Sequence, residues 1–340
     1  MLMTSLRATA TDAQLKKVFE AYRSGLRGRP RAGISLPSRD FSSLVFQGTI
    51  GWLSLRERLD LRCINKACGE GLSASRQGRV DDAGRLFEQA EERLRSLEPH
   101  AGPAWLIGVS AYQAGVAYLD FKSGRIEQVL WRLDRAMDAD LELERKGFSV
   151  IQMHRVQQGH NLARIDLRLG RREGALRMAG TLLAYLERQI PRLPYHREWH
   201  PEALLSVPTR LVQTMIHQIL GEAAGYIVTG TMPREEWSSL IGTARLRAES
   251  ERAMSPQAQY ALQAQLGLLL GDARRYLGNL ERFFSFGINA CRPLWYAAMV
   301  ELSRFCKELD TDYSRQVQAM ILRDSTKWRG LPGFLRDRLR

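Results

Sequence analysis

The sequence predicts an all-α fold: an α-solenoid of about five to six antiparallel helix pairs behind an N-terminal capping helical segment. Three observations carry that expectation. Gly78-Arg79, Gly124-Arg125 and Gly170-Arg171 follow one another at intervals of 46 residues. Small and apolar residues return at fixed offsets around each pair. Nowhere does the chain show the strict apolar/polar alternation of a half-exposed sheet, so strand content should be close to nil. A fixed period of this length marks one supersecondary unit used several times, and such units bury a continuous core by stacking.

Each column of the repeat has a mechanical role. The first unit places Gly71, Ala74, Gly78, Ala83, Phe87 and Ala90 where the second has Ala117, Asp120, Gly124, Val129, Leu133 and Ala136. The third has Ala163, Asp166, Gly170, Ala175, Ala179 and Leu182. A small residue seven positions before the turn lets two helices approach. Glycine ends the first helix, because a left-handed residue there carries no Cβ penalty. The residues five, nine and twelve positions after the glycine form one stripe of a second helix, which packs back on the first.

This order of small, glycine, small, apolar and small residues resembles the tetratricopeptide repeat, most clearly at Gly71, Gly78, Ala83, Phe87 and Ala90. The resemblance covers about residues 60–190. It departs from the family where the tyrosine usual three residues after the first small position is replaced by Ala74, Asp120 and Asp166. The period also exceeds the family's ~34 residues, which asks for longer helices.

Before the repeats, Thr11 and the face Leu15, Val18, Phe19 and Tyr22 predict an amphipathic helix over 10–24. Residues 25–41 read as a Pro/Gly/Arg linker, and 42–59 as an apolar helix that caps the first repeat. The expected organisation is a basic N-terminal segment with capping helices (1–59), three repeats (60–190), a Pro-rich crossing (191–202), degenerate helical repeats (203–325) and a basic tail (326–340). In the degenerate part, turns are expected at Gly230 and Gly271.

The formal net charge is +13. Residues 1–40 carry +5 of it and residues 323–340 carry +4, leaving a nearly neutral body. Basic ends suit an acidic partner, nucleic acid included. Arginine outnumbers lysine 43 to 7, which reads as the bias of a GC-rich genome rather than a phosphate-binding design. No groove-reading motif accompanies the ends. No run is apolar enough for a membrane helix, and the N-terminus lacks the apolar core of a secretory signal. Cys63, Cys68, Cys291 and Cys306 fall in two distant groups without metal-ligand spacing. The expected setting is cytoplasmic, without cofactor or metal.

In tetratricopeptide repeats the first helix of each unit supplies the ligand-facing side chains. That resemblance implies a concave groove with Arg76, Tyr118, Phe121, Lys122, His160, Arg164 and Arg168 along it. Apolar patches with a basic rim suit a protein or peptide carrying acidic groups, since arginine grips carboxylates bidentately. The competing explanation is that a cation in the last turn simply favours the helix C-terminus. Asp120 and Asp166 stand near the seam between helices, where a buried carboxylate needs a partner; an ion pair with an arginine on a neighbouring helix is one reading, and an acid–base or metal site with His154 and His160 the other. His196 and His200 could share a helical face, but Pro194 and Pro201 leave scarcely one turn. No phosphate loop, dinucleotide fingerprint or nucleophile elbow occurs, so the balance leans against an enzyme and no catalytic residue is assigned. The functional expectation is a partner-binding scaffold acting as adaptor, regulator or assembly factor. The alternatives are a nucleic-acid-associated regulator using its basic termini and a groove-based enzyme.

Overall fold

The computed structural model describes residues 12–27, 45, 49–51, 53–97, 102–228, 234–243, 255–288, 291–328, 331 and 333–339. All regular structure among them is helical. The first helices are α1 (Asp12–Arg27), α2 (Leu55–Arg76), α3 (Val80–Leu97), α4 (Pro103–Lys122), α5 (Ile126–Arg145), α6 (Gln152–Arg168) and α7 (Arg172–Leu186). After a non-helical stretch come α8 (Ala203–Ser206), α9 (Thr209–Val228), α10 (Trp237–Thr243), α11 (Pro256–Leu269) and α12 (Ala273–Ser285). The chain ends with α13 (Arg292–Leu309), α14 (Asp312–Ser325) and α15 (Gly333–Arg336). The turn expected at Gly230 lies outside the described residues, as does the linker expected over 25–41 except for residues 25–27, which continue α1 instead.

Four helix pairs turn by one device. Gly78, Gly124, Gly170 and Gly271 have φ of +76°, +75°, +78° and +71°, a conformation costing a residue with a Cβ about 1–2 kcal/mol. The residue after each glycine donates its N–H to the carbonyl five residues back: Arg79 to Ala74 (2.9 Å), Arg125 to Asp120 (2.9 Å), Arg171 to Asp166 (2.8 Å) and Asp272 to Gly267 (2.8 Å). This closure satisfies carbonyls that the helix end would leave unpaired, and it sets the two side chains five residues apart side by side. That juxtaposition is commonly apolar. Here it is ionic twice, as Arg125–Asp120 (2.6 Å) and Arg171–Asp166 (2.7 Å). The pairing explains why arginine follows glycine in the second and third repeats. In the first, Ala74 replaces the acid, and Arg79 turns to Asp82 instead (2.9 Å).

Residues Arg39–Leu162 and Ile190–Leu211 form one compact unit. Within it α2 packs on α3, α4 packs on α5, and α4 also packs on both α2 and α3. Phe87 sits at the centre of the first junction, 3% exposed. Its ring lies over Gly71 and Gly115, where an added Cβ would come within 3.0 and 2.8 Å of ring atoms. The small residues of the repeat therefore act as sockets for a neighbouring helix's knob. Ala83, Val129 and Leu133 are buried on the second-helix stripes as the spacing requires.

The other unit comprises Ala163–Gln189 and Val212–Arg340 together with α1. In it α10 packs on α7 and α11, α11 on α12, and α13 on α14 and α15. Ala175, on α7, is buried. The N-terminal helix α1 packs on α12 and α14. The reason is its face. Leu15, Val18, Phe19 and Tyr22 are all buried, and Tyr22 enters an aromatic cluster with Phe284 and Trp295 at 6.0 and 5.2 Å. Gly25 permits the approach, since a Cβ there would lie 2.5 Å from the Phe284 carbonyl oxygen. The Tyr22 hydroxyl donates to Asp324 (3.1 Å), and burial pushes that phenol up from its ordinary value.

Candidate functional site

Three of the expected ligand-facing residues meet on adjacent first helices. Tyr118, half-buried on α4, lies between the guanidinium of Arg76 from α2 and the ammonium of Lys122, one turn further along α4. The two cations stand 5.9 and 5.8 Å from the ring centroid. Such a distance is within cation–π range, worth about 0.5–1 kcal/mol at an exposed site. Arg76 and Lys122 are exposed, and neither has an acidic partner among the described residues. Both lie in the last turn of a helix, where the carbonyl ends favour positive charge. Phe121, half-buried beside Lys122, adds apolar surface. Nearby second-helix cations differ: Arg95 pairs with Glu91 (3.1 Å), and Arg132 with Asp120 (2.6 Å).

The remaining expected residues fall elsewhere. His160 is 4% exposed, so it offers no ligand-facing surface. Every residue from 151 to 160 is buried, which makes this half of α6 a core helix rather than a groove wall. Arg164 and Arg168 belong to the other compact unit. Arg164 is engaged by Glu222 of α9, with Nε and Nη2 reaching its carboxylate at 2.9 and 2.7 Å. Arg168 is exposed in the last turn of α6, without an acidic partner among the described residues.

Asp120 and Asp166 follow the ion-pair reading. Asp120, 2% exposed, spends one oxygen on Arg125 and the other on Arg132 of α5, both at 2.6 Å. Arg132 also donates to Gln113 (2.9 Å), which ties α5 to α4 twice. Both oxygens of Asp120 are thus taken by arginines, and Asp166 pairs through one oxygen with Arg171.

A buried polar network between α4, α5 and α6 was not anticipated. Ser110 donates to Asp140, and His154 Nδ1 lies 2.8 Å from the second Asp140 oxygen and 2.9 Å from Ser110 Oγ. On the far side, His154 Nε2 accepts from the Gln158 amide at 2.8 Å. A serine nucleophile needs the histidine nitrogen opposite the one held by aspartate. Here serine and aspartate crowd the same nitrogen, and all four residues are buried. The network links three helices and is not wired for nucleophilic attack.

The second unanticipated feature is Arg155, whose side chain is 0% exposed. Its Nη1 donates to both Glu144 oxygens (3.0 and 2.9 Å), and its Nη2 to His196 Nδ1 (3.1 Å) and the Glu198 carbonyl (2.5 Å). The guanidinium also lies 4.0 Å from the ring centroid of Trp199. The Pro-rich crossing is thereby anchored to the core through Leu193 and Trp199, while most of its other residues stay exposed or half-buried. His196, read in the sequence as half of a histidine pair, faces Arg155 on one nitrogen and Asp138 on the other (3.3 Å). Among the described residues, no group of three or more His, Cys, Asp or Glu side chains is placed to hold a metal ion. No described helix is long and apolar enough to cross a membrane.

No family model matches the chain, and no curated protein or solved structure does either.

Proposed function

We propose that the chain is a helical-repeat scaffold of tetratricopeptide type, which binds a protein or peptide partner on the first-helix face of α2 and α4. The observation that carries this reading is the Arg76–Tyr118–Lys122 cluster, two cations without an acidic partner among the described residues beside one partly accessible ring. Unpaired exposed cations add little to fold stability, whereas aromatic and arginine side chains supply much of the energy at recognition surfaces. A partner segment with acidic groups completes the charge balance, and its apolar side chains find Tyr118 and Phe121. The role that follows is adaptor, regulator or assembly factor.

Site-specific photocrosslinking tests this reading. A photoreactive phenylalanine analogue at position 118, in the native cell, should trap one protein partner that the same group at position 92, exposed on α3, does not. Equal labelling from both positions would contradict the assignment.

A further inference from the structure

The Pro-rich stretch after α7 is held to its unit by side chains rather than by regular backbone pairing. Gln152 of α6 donates to the His200 carbonyl (2.8 Å), Arg145 of α5 pairs with Glu198 (3.0 Å), and Arg155 takes His196, Glu198 and Trp199 together. The phenol tip of Tyr195 meets Gly159 of α6, with its hydroxyl 1.9 Å from where a Cβ would stand. His196 has φ of +60°, a left-handed conformation uncommon outside glycine and asparagine-like residues. Leu193 and Trp199 are buried beneath this arrangement.

We propose that residues 190–202 form an acid-releasable strap, closed on α5 and α6 by Arg155 and opened when His196 takes up a proton. The hydrogen bond from Arg155 requires a lone pair on His196 Nδ1, and the other ring nitrogen then carries the hydrogen directed at Asp138. A proton on Nδ1 removes the acceptor and sets two cations about 3.1 Å apart in a dry site, where charge repulsion is weakly screened. The groups facing the imidazole are Arg155 from α6, Asp138 (3.3 Å) and the more distant Asp134 (3.9 Å) from α5, with Arg197 and Glu198 beside it in the strap. Burial first, and Arg155 second, hold His196 below its ordinary value. The closed strap is therefore fully favoured above the free imidazole's range and loses that preference as pH falls below it.

Glu144 titrates with the opposite sign. Burial pushes its carboxyl up to about 7 against the opposing pull of Arg155, so the folded state gains from its protonation between about 4.5 and 7. Of these two titrating groups only His196 lies in the strap, whereas Glu144 lies on α5, so opening follows the imidazole. An open strap bares Leu193, Trp199 and the Gly159 face of α6, an apolar surface hidden at neutral pH.

Hydrogen exchange of the full-length protein between pH 7.5 and 5, corrected for intrinsic rates, decides the matter. Strap amides should open about tenfold more often per pH unit once the imidazole begins to charge, while α2 and α4 amides keep their protection. His196→Asn should abolish this dependence, because its carboxamide oxygen can accept from Arg155 and asparagine tolerates the left-handed backbone. Glu144→Gln should retain it. A strap indifferent to pH would overturn the proposal. So would acid opening that survives in His196→Asn or disappears in Glu144→Gln, or opening of α2 and α4 in step with the strap.

Discussion

The glycine-arginine turns and the 190–202 strap both carry the chain between helices, and they do so by opposite means. At Gly78, Gly124, Gly170 and Gly271 the reversal is closed by backbone bonds spanning five residues. The accompanying arginines, Arg125 and Arg171, are at least half exposed, although Asp120 beneath Arg125 is buried. In the strap the backbone has few partners of its own, and a buried arginine from α6 supplies them across about 40 residues. A turn of the first kind tolerates side-chain loss because its closure is local. The strap relies most on Arg155, the side chain that takes the largest number of its groups, and loss of that side chain takes away the partner of a buried carboxylate and of a strap carbonyl.

Arg155→Met should accordingly produce the largest effect. It removes one partner of a fully buried pair, a change that typically costs about 3–5 kcal/mol, and urea denaturation should register it together with proteolytic cleavage inside 190–202. Loss of stability without strap cleavage would separate the two roles given to Arg155. On the hairpin side, Phe87→Ala should cost on the order of 3 kcal/mol from lost burial and the cavity left against Gly71 and Gly115. A wild-type melting temperature in that variant would mean the junction can collapse around the void. Gly124→Ala should cost about 1–2 kcal/mol for the left-handed backbone. The smallest change belongs to Arg171→Ala, whose exposed pair with Asp166 is worth less than about 1 kcal/mol. If thermal melts placed Arg171 level with Arg155, the contrast between local and distant closure would fail.

The same contrast decides what could be read in the sequence. The turns were legible because glycine, its preceding helix and its following arginine sit within a few positions of one another. Asp120 was legible as a carboxylate in need of a partner on a neighbouring helix, which Arg132 supplies; the second partner, Arg125, was not read although it stands only five residues on. Arg155 was not legible, since Glu144, His196 and Trp199 come from three separate stretches and no spacing unites them. His160 was misplaced through that omission: counting repeats puts it on a groove, but α6 is enclosed over 151–160, with the strap lying along Arg155 and Gly159. Arg164 looked like rim charge because Glu222, its partner, lies 58 residues away on another helix. The helical character of α1 was plain from its apolar face, and its choice of α12 and α14 was not, because the aromatic partners stand at the far end of the chain. Local grammar predicts elements and turns; it does not predict which distant side chain will close over them.

Binding by a charge-reversed protein tests the functional claim most directly. With the partner trapped at position 118 in hand, the affinities of wild type and the Arg76→Glu/Lys122→Glu double variant should be compared beside their melting curves. Exposed substitutions of this kind usually change stability by about 0.5 kcal/mol or less, so the fold should hold. The account predicts an affinity reduced at least about 10-fold, roughly 1.4 kcal/mol, with an unchanged melting temperature. Undiminished affinity in the double variant would contradict it.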